Sequence, residues 1–146
     1  MRRYKSGSKW AFWRWTLTPS GYIKRLHLVQ TPFGSIMVHF INGPDPEPDM
    51  HDHPTTFLSI ILWGSYTERR EMVDGAPVWL WGKSVVDRRW WNFVRATDCH
   101  KIVSVRPNTT TVCFMTKTLR KWGFHTPDGW VYWKDYNKHM YKERAE

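Results

Sequence analysis

Two histidines separated by one residue are the pair in this chain best suited to bind a metal ion. They are His51 and His53, and Pro54 follows them directly. Side chains of an extended segment alternate between two faces, so both imidazoles would point the same way. Proline biases the residue before it towards an extended conformation, and neutral imidazole is the commonest metal ligand in proteins. The alternative from spacing alone is a pair of solvated loop histidines.

The segments on either side of this pair differ strongly in composition. Residues 57–63 read Phe-Leu-Ser-Ile-Ile-Leu-Trp, and Gly64 ends this run. An apolar run of this length is typical of a strand that is buried on both faces. Before the pair, three prolines alternate with acidic residues within 43–49, which excludes a helix or a central strand. The carboxylates of this loop are expected to be either solvated or placed behind the histidines.

A third ligand is needed, because two imidazoles alone hold a metal weakly. His100 is the best candidate, since it begins a predicted strand far along the chain from the pair. A jelly roll brings such a strand back beside an earlier one. Three protein nitrogens with open coordination positions would form a site of the catalytic type rather than a closed structural site.

Short extended segments separated by turn signals cover most of the sequence. The predicted strands are 10–17, 22–30, 35–42, 55–63, 66–71, 77–81, 99–105 and 109–117. About nine short strands with almost no helix predict an all-β sandwich or barrel. The length of 146 residues suits one domain over 1–146. We predict a flexible basic arm over 1–9, a tight aromatic loop over 118–133 and a charged C-terminal helix over 134–146.

The histidines and their neighbours resemble the two motifs of the cupin superfamily. The first motif has two histidines around one residue, then a glutamate, then a glycine, and His51, His53 and Gly64 match it. Phe57 stands where the glutamate ligand would be, and His100 matches the histidine of the second motif. The resemblance implies a jelly-roll barrel. Without the glutamate, it implies a metal held by three histidines, as in thiol dioxygenases.

The sequence is more similar still to a small cupin-like family of bacteria and their viruses. That family has the run His-Asp-His-Pro, a strand ending in Gly-Gly-Tyr-x-Glu, and a late Trp-Gly-Phe with Gly-Trp. In this chain these motifs are residues 51–54, 64–68, 122–124 and 129–130, with serine at the second glycine. The resemblance covers roughly residues 35–135 and implies a metal site without a particular reaction.

Glu68, Tyr66 and Arg120 are candidate catalytic residues. Glu68 shares a face with Tyr66 if no bulge intervenes, and it could replace the missing carboxylate ligand. Two histidines with one carboxylate resemble the open site of non-haem iron enzymes. The alternative is that Glu68 pairs with an arginine at the surface. Arg120 could bind a substrate carboxylate or phosphate through two hydrogen bonds, or lie at the surface. His39 could line the same interior.

The net charge of +9 and the eleven tryptophans bear on the partners of this protein. Basic residues among aromatic rings suit nucleic acid, because cations neutralise phosphates and rings stack on bases. They suit a small anionic substrate equally well. The pairs Arg88-Arg89 and Trp90-Trp91, with the basic residues of the arm, would carry nucleic-acid binding. The alternative is that most of the tryptophans fill the core or a sheet face.

We therefore predict a cupin that binds one divalent metal ion through His51, His53 and His100. Fe(II) is the first choice, with manganese, nickel and zinc open. The protein would act on a small anionic substrate as a dioxygenase or another metal-dependent enzyme. The alternative is a non-catalytic module that binds nucleic acid or an acidic partner.

Further expectations concern the cysteines, the location and the assembly of the protein. Cys99 and Cys113 lack the spacing of a metal knot, so we predict two buried free thiols. No apolar run approaches the ~20 residues of a membrane span, and no signal peptide is recognisable. We expect no membrane partner and a cytoplasmic protein, in the host cytoplasm if a virus encodes it. Pairing into a homodimer is suggested only by analogy with other cupins.

Overall fold

The structure is a computed structural model that describes residues 10–18, 21–72 and 85–136. Twelve β-strands lie within these residues. They are β1 (Ala11–Leu17), β2 (Ile23–Gln30), β3 (Gly34–Ile41), β4 (Met50–His51), β5 (Phe57–Trp63), β6 (Tyr66–Met72), β7 (Val85–Arg88), β8 (Trp91–Val94), β9 (Asp98–Val105), β10 (Thr109–Thr116), β11 (Gly123–Thr126) and β12 (Gly129–Tyr132). A short helix over 133–136 follows β12.

Two six-stranded antiparallel sheets face each other in this fold. The first has the order β1-β2-β3-β10-β5-β8, and the second has the order β12-β11-β4-β9-β6-β7. Neighbours such as β3 and β10 are far apart in the chain, as the crossing connections of a jelly roll require. The predicted all-β jelly-roll sandwich with a short C-terminal helix is confirmed.

Some predictions lie outside the described residues. These are the basic arm over 1–9, the strand over 77–81 and the helix beyond residue 136. In the part of the chain that is described, no helix is long and apolar enough to cross a membrane.

Alternation along β10 shows how the sequence divides the two faces of a strand. Thr109, Thr111 and Cys113 are each at most 1% exposed. Phe114, which follows Cys113 and projects from the other face of the strand, is 46% exposed. Because side chains of a strand alternate, these three residues define the inner face of the first sheet. Cys99 is also buried, so the prediction of two buried free thiols is confirmed.

The turn between β5 and β6 explains the glycine of the first motif. Gly64 adopts a φ of 81°, a conformation that L side chains rarely adopt. A Cβ atom at this position would also collide with the side chain of Thr109. The Thr109 hydroxyl accepts a hydrogen bond from the Ser65 backbone nitrogen at 3.1 Å, which fixes the turn against β10.

The C-terminal aromatic segment forms a hairpin, so the prediction of a loop over 118–133 was wrong for most of it. β11 and β12 pair from Gly123 opposite Tyr132 to Thr126 opposite Gly129. The glycines that suggested a loop have structural reasons. A Cβ atom at Gly123 would collide with the Val131 carbonyl oxygen, and Gly129 adopts a φ of 119°.

The tryptophans of the described residues do not fill the core, which contradicts that part of the alternative and leaves the sheet faces. Eight of the nine are between 39% and 79% exposed, and Trp122 is half-buried. β1 alone presents Trp13 and Trp15 at the surface, 73% and 52% exposed. The fold therefore places most of these rings on its outer faces.

Candidate metal centre

Short-range and long-range pairing bring the three predicted imidazoles together. His51 lies in β4 directly opposite His100 in β9. β4 has only two residues, and β11 flanks it on its other side, where Phe124 is opposite His51. His53 follows β4, and its backbone nitrogen donates a hydrogen bond to the Ala96 carbonyl oxygen at 3.2 Å. The site is thus built at the centre of the second sheet.

The three rings converge closely. The ring centroids are 5.0 Å apart for His51 and His53, 5.1 Å for His51 and His100, and 4.8 Å for His53 and His100. One nitrogen of each ring lies within 4.8 Å of the other two, and the Nε2 atoms of His53 and His100 are 2.7 Å apart. Nitrogens bound to one metal at about 2.1 Å are separated by roughly 3 Å. The donor set therefore fits a single metal ion.

Burial keeps two of these ligands in the form that binds a metal. It lowers the pKa of His51 to about 4, although the nearby Asp45 carboxylate acts in the opposite direction. Burial also lowers the pKa of His53 well below its ordinary value, and the neighbouring His100 and His51 lower it further. Both rings are therefore neutral near pH 7, so no proton competes with a metal there.

Glu68 lies behind His100. The Nδ1–H of His100 donates a hydrogen bond to Oε2 of Glu68 at 2.8 Å. Since this bond holds the ring proton on Nδ1, the lone pair of Nε2 is directed towards His53. A carboxylate in this position orients a metal-binding histidine and raises its basicity. Glu68 thus contacts a candidate metal ligand and is not itself a member of the candidate donor set.

The Glu68 carboxylate is fully buried and ionised. Arg88 donates to Oε1 from Nε at 2.8 Å, and Asn92 donates to Oε2 at 3.0 Å. An Arg70 nitrogen lies 3.4 Å from Oε1. Burial opposes the charge, but the hydrogen bond from His100 and the charges of Arg70 and Arg88 outweigh it and lower the pKa of Glu68 to about 2. The alternative that Glu68 pairs with arginines is confirmed, but its surface position was wrong, because Glu68 is 0% exposed.

Tyr66 shares the inner face with Glu68, as the sequence predicted. Asn92 donates to the Tyr66 hydroxyl at 2.9 Å and to Glu68, so this amide links the two side chains. The pairing of β6 with β9 is irregular between Thr67 and Glu68, but the shared face is kept. Burial raises the pKa of Tyr66 far above its ordinary value, so the phenol is neutral. Its predicted catalytic role stays a prediction.

The proline-rich loop brings a carboxylate to His51. Oδ2 of Asp45 lies 3.9 Å from Nδ1 of His51 and accepts a hydrogen bond from the Ile102 backbone nitrogen at 2.7 Å. Asp45 is 6% exposed, so the expectation of a solvated loop carboxylate was wrong for this residue. The backbone nitrogen of Asp45 in turn donates to the Ile102 carbonyl oxygen at 3.0 Å. These two hydrogen bonds attach the loop to β9.

Arg120 is engaged with Asp52, the residue between the two histidines of the pair. Nη1 of Arg120 donates to Oδ2 of Asp52 at 2.8 Å and to the Ala96 carbonyl oxygen at 3.1 Å. Asp52 also accepts hydrogen bonds from the Gly123 backbone nitrogen at 2.8 Å and from Trp130 Nε1 at 2.9 Å. The role of Arg120 in binding a substrate anion stays a prediction, and its observed task is to neutralise Asp52.

The first sheet supplies a polar wall for the interior. Sγ of Cys113 lies 3.5 Å from Nδ1 of His39, 3.5 Å from the Ser59 hydroxyl and 3.5 Å from the Thr111 hydroxyl. His39 therefore lines the interior, as predicted. Phe57, at the position of the missing glutamate, packs its ring edge-on against His53 with centroids 5.0 Å apart.

Comparison with known proteins shows the fold. No protein-family model matches the chain, and no curated protein matches it. The DMSP lyase DddQ from Ruegeria pomeroyi DSS-3 is similar in structure, with a TM-score of 0.53, 13% identity, and coverage of 84% of this chain and 63% of that chain. A cupin-2 domain protein from Rhodospirillum rubrum has a TM-score of 0.50, 12% identity, and coverage of 88% and 82%.

A further similar structure is that of CapF with an inhibitor. It has a TM-score of 0.50 and 10% identity, and the match covers 79% of this chain and 32% of that chain. This chain therefore spans about a third of CapF and less than two thirds of the lyase. The protein has the cupin fold. Within this fold, three converging imidazoles of the described residues could hold a metal ion.

Proposed function

We propose that this protein is a metal-dependent enzyme in which His51, His53 and His100 bind one divalent ion. The observation that carries this proposal is the convergence of one nitrogen from each of the three rings. Two of the rings are held neutral by burial, and Glu68 fixes the tautomer of the third. Three nitrogen ligands leave coordination positions open for a substrate.

The ligand set also bears on the metal and on the substrate. Imidazole suits iron, nickel, copper and zinc, and we propose Fe(II) with a dioxygenase type of reaction. When bound, the ion would supply a Lewis-acid or redox centre. Imidazole binds a metal as a neutral group, so the three ligands themselves would not compensate the charge of a divalent ion. This favours a small substrate that carries a negative charge.

The chain's own residues would prepare this site. Glu68 acts as a positioning residue, because it holds the proton of His100 on Nδ1. Arg88 and Asn92 in turn fix the two oxygens of Glu68. Phe57 and the aromatic rings next to His51 exclude water from one side of the imidazoles.

Elemental analysis of the natively expressed protein tests this function. We expect about one metal ion per chain in the wild type and a large loss in His53→Ala. His125→Gln is a matched control, because His125 contacts Asp52 rather than the cluster and its loss should leave the metal content unchanged. Absence of stoichiometric metal, both as purified and after incubation with Fe(II), Mn(II), Ni(II) or Zn(II), would contradict the proposal.

A second candidate function is the recognition of nucleic acid by the exposed aromatic residues. Lys24 Nζ lies 4.5 Å from the Trp15 ring centroid, and Arg106 lies 5.4 Å from that of Trp63. Cations beside exposed rings suit phosphates and stacked bases. Arg88 does not belong to this surface, because its guanidinium binds Glu68, which corrects that part of the sequence prediction.

Binding to single-stranded and double-stranded nucleic acid across a salt series tests this second candidate. A steep salt dependence that is the same in wild type and His51→Ala would support a nucleic-acid module. Absence of binding at low salt would contradict it.

A further inference from the structure

Arg25 and His39 project into the space between the two sheets. Arg25 in β2 lies directly opposite His39 in β3, and His39 lies directly opposite Thr111 in β10. Residues directly opposite each other in antiparallel strands project from the same face of the sheet. Thr111 is 1% exposed and belongs to the inner face. Arg25 and His39 therefore belong to the wall that faces the three histidines.

The guanidinium of Arg25 is partly enclosed by the interior. Its Nε atom is buried, as is Nε2 of His39 in the neighbouring strand. The first sheet faces the second sheet, in which His51 of β4 pairs with His100 of β9. A cation on the inner face of the first sheet thus lies across the interior from the proposed metal ligands.

His39 offers a hydrogen-bonding group that no described residue uses. Its Nε2 atom is buried and has no hydrogen-bond partner among the described residues. Burial lowers the pKa of His39 to about 3 and raises that of the Cys113 thiol, so both groups are neutral. The single thiol proton can be donated to the Ser59 hydroxyl or to Nδ1 of His39, and in the second case Nε2 carries the ring proton. An anion bound beside His39 would favour the second arrangement, because it supplies an acceptor for a buried Nε2–H that has none among the described residues.

We propose that Arg25 and His39 bind the anionic group of a small substrate, a carboxylate or a phosphate, whose reacting end faces His51, His53 and His100. The guanidinium of arginine can form two parallel hydrogen bonds with either anion. The Nε2–H of His39 adds a third donor beside it. This subsite rests on the proposed function of the histidine cluster. It gives Arg25 the task that the sequence suggested for Arg120.

Anion binding by the full-length protein tests the subsite without an activity assay. Inorganic phosphate and acetate are titrated by calorimetry, at constant ionic strength, into the metal-free and the zinc-loaded protein. We expect Arg25→Gln to weaken binding of at least one anion by about ten-fold or more in both forms. His39→Gln should weaken it about three-fold to ten-fold. A response to acetate alone would identify a carboxylate, and a response to phosphate alone a phosphate.

Lys24→Gln is the matched control. Lys24 precedes Arg25 in the same strand, is exposed and lies over the Trp15 ring, so its loss removes one positive charge from the other face. We expect Lys24→Gln to change the affinity less than about two-fold, because exposed charges are screened by salt. Arg25→Lys keeps the charge but loses the forked geometry, so it should bind more weakly than wild type and more tightly than Arg25→Gln.

Specific outcomes would overturn the subsite. One is that wild type and Arg25→Gln bind the anion with equal affinity. The other is that Lys24→Gln and Arg25→Gln lose equal anion affinity, which would assign the anion to the surface. Circular dichroism verifies that each variant is folded, and Arg25→Lys replaces Arg25→Gln if the latter unfolds. The metal measurement separates the two proposals. A chain that takes up no metal ion but still binds the anion through Arg25 would contradict only the metal function. A chain that takes up metal but binds the anion equally well in Arg25→Gln would contradict only the subsite.

Discussion

Two fully buried carboxylates near the histidine cluster have different tasks. Glu68 is 0% exposed and Asp52 is 1% exposed. Glu68 accepts hydrogen bonds from Arg88 of its own sheet and from Asn92 of β8. It also accepts one from His100, so its charge acts directly on a proposed metal ligand. Asp52 separates two of the proposed ligands in the sequence, yet its hydrogen bonds go to the C-terminal part of the chain.

The difference follows from the alternation of side chains. A residue between two inward-facing histidines of an extended segment must face the other way. Asp52 therefore meets the hairpin of β11 and β12 and attaches it to the segment that carries the histidines. Glu68 projects inward from β6 and meets His100 from behind. Proximity to a site along the sequence is thus a poorer guide to function than the face from which a side chain projects.

Removal of the Asp52 carboxylate should have the largest effect, and the effect should be on stability. In Asp52→Ala the Gly123 backbone nitrogen, Trp130 Nε1 and the Arg120 guanidinium lose their acceptor. We expect the free energy of unfolding to fall by about 3–5 kcal/mol, because breaking a buried ion pair leaves its partners uncompensated. Urea denaturation of the metal-free protein measures this. Unchanged stability, or loss of metal affinity by the fully folded variant, would contradict the division of tasks.

Acid should destabilise the metal-free protein through the histidines while Glu68 stays ionised. The pKa of His51 is about 4 in the folded protein, below its ordinary value of 6.5, so the unfolded chain binds protons more readily between these values. The stabilisation is complete above pH 6.5 and is lost as the pH falls towards 4. We expect a loss of about 3 kcal/mol from His51 over this range.

Urea denaturation at several pH values gives this dependence. His51→Gln should make the dependence less steep by the His51 share, while His27, His39 and His53, whose pKa values are also lowered, still contribute. Glu68 contributes only at the acid end of this range, because its pKa falls from its ordinary value of 4.5 to about 2 on folding. An equally steep loss of stability in His51→Gln would assign the effect to other groups.

Glu68→Gln should weaken metal binding more than any change at Asp52. The neutral amide oxygen of the variant is a weaker acceptor for the His100 Nδ1–H than the carboxylate. The tautomer and orientation of that proposed ligand are therefore held less firmly. We expect metal affinity to fall about 10-fold to 100-fold. Competition with a chelator measures this on protein shown to be folded, and Asp52→Asn serves as the control with less than a ten-fold change. Equal effects of the two variants would remove the distinction between the carboxylates.

The sequence predicted the all-β fold and the three histidines that converge, because both depend on local patterns. Alternation gave the faces of the strands, and the motif gave the pair His51 and His53. The hairpin of β11 and β12 was missed, because Gly123 and Gly129 looked like loop residues. Their reasons, a close approach to Val131 and a positive φ, exist only in the folded chain.

The surroundings of the cluster could not be predicted, because they depend on which strands become neighbours. Glu68 and Arg70 are both polar residues of one strand, and the register places Arg70 opposite His100, yet it is Glu68 that accepts the His100 hydrogen bond. Arg25 follows Lys24 in a basic run, and only the register with His39 places it opposite the histidine cluster. Alternation divides a strand into two faces, but the distant pairing decides what each face meets.

Arg120→Lys should have the smallest effect of these changes, and it tests the ion pair between Arg120 and Asp52. The Arg120 side chain is 35% exposed, so solvent screens part of its ion pair with Asp52. We expect a loss of about 1 kcal/mol in the free energy of unfolding, with unchanged affinity for metal, phosphate and acetate. Arg69→Lys is the control, since its ion pair with Glu71 is more than half exposed on the Arg69 side and its loss should be smaller still. A fall in anion affinity as large as that of Arg25→Gln would instead make Arg120 the substrate-binding arginine and leave Asp52 as the residue that positions it.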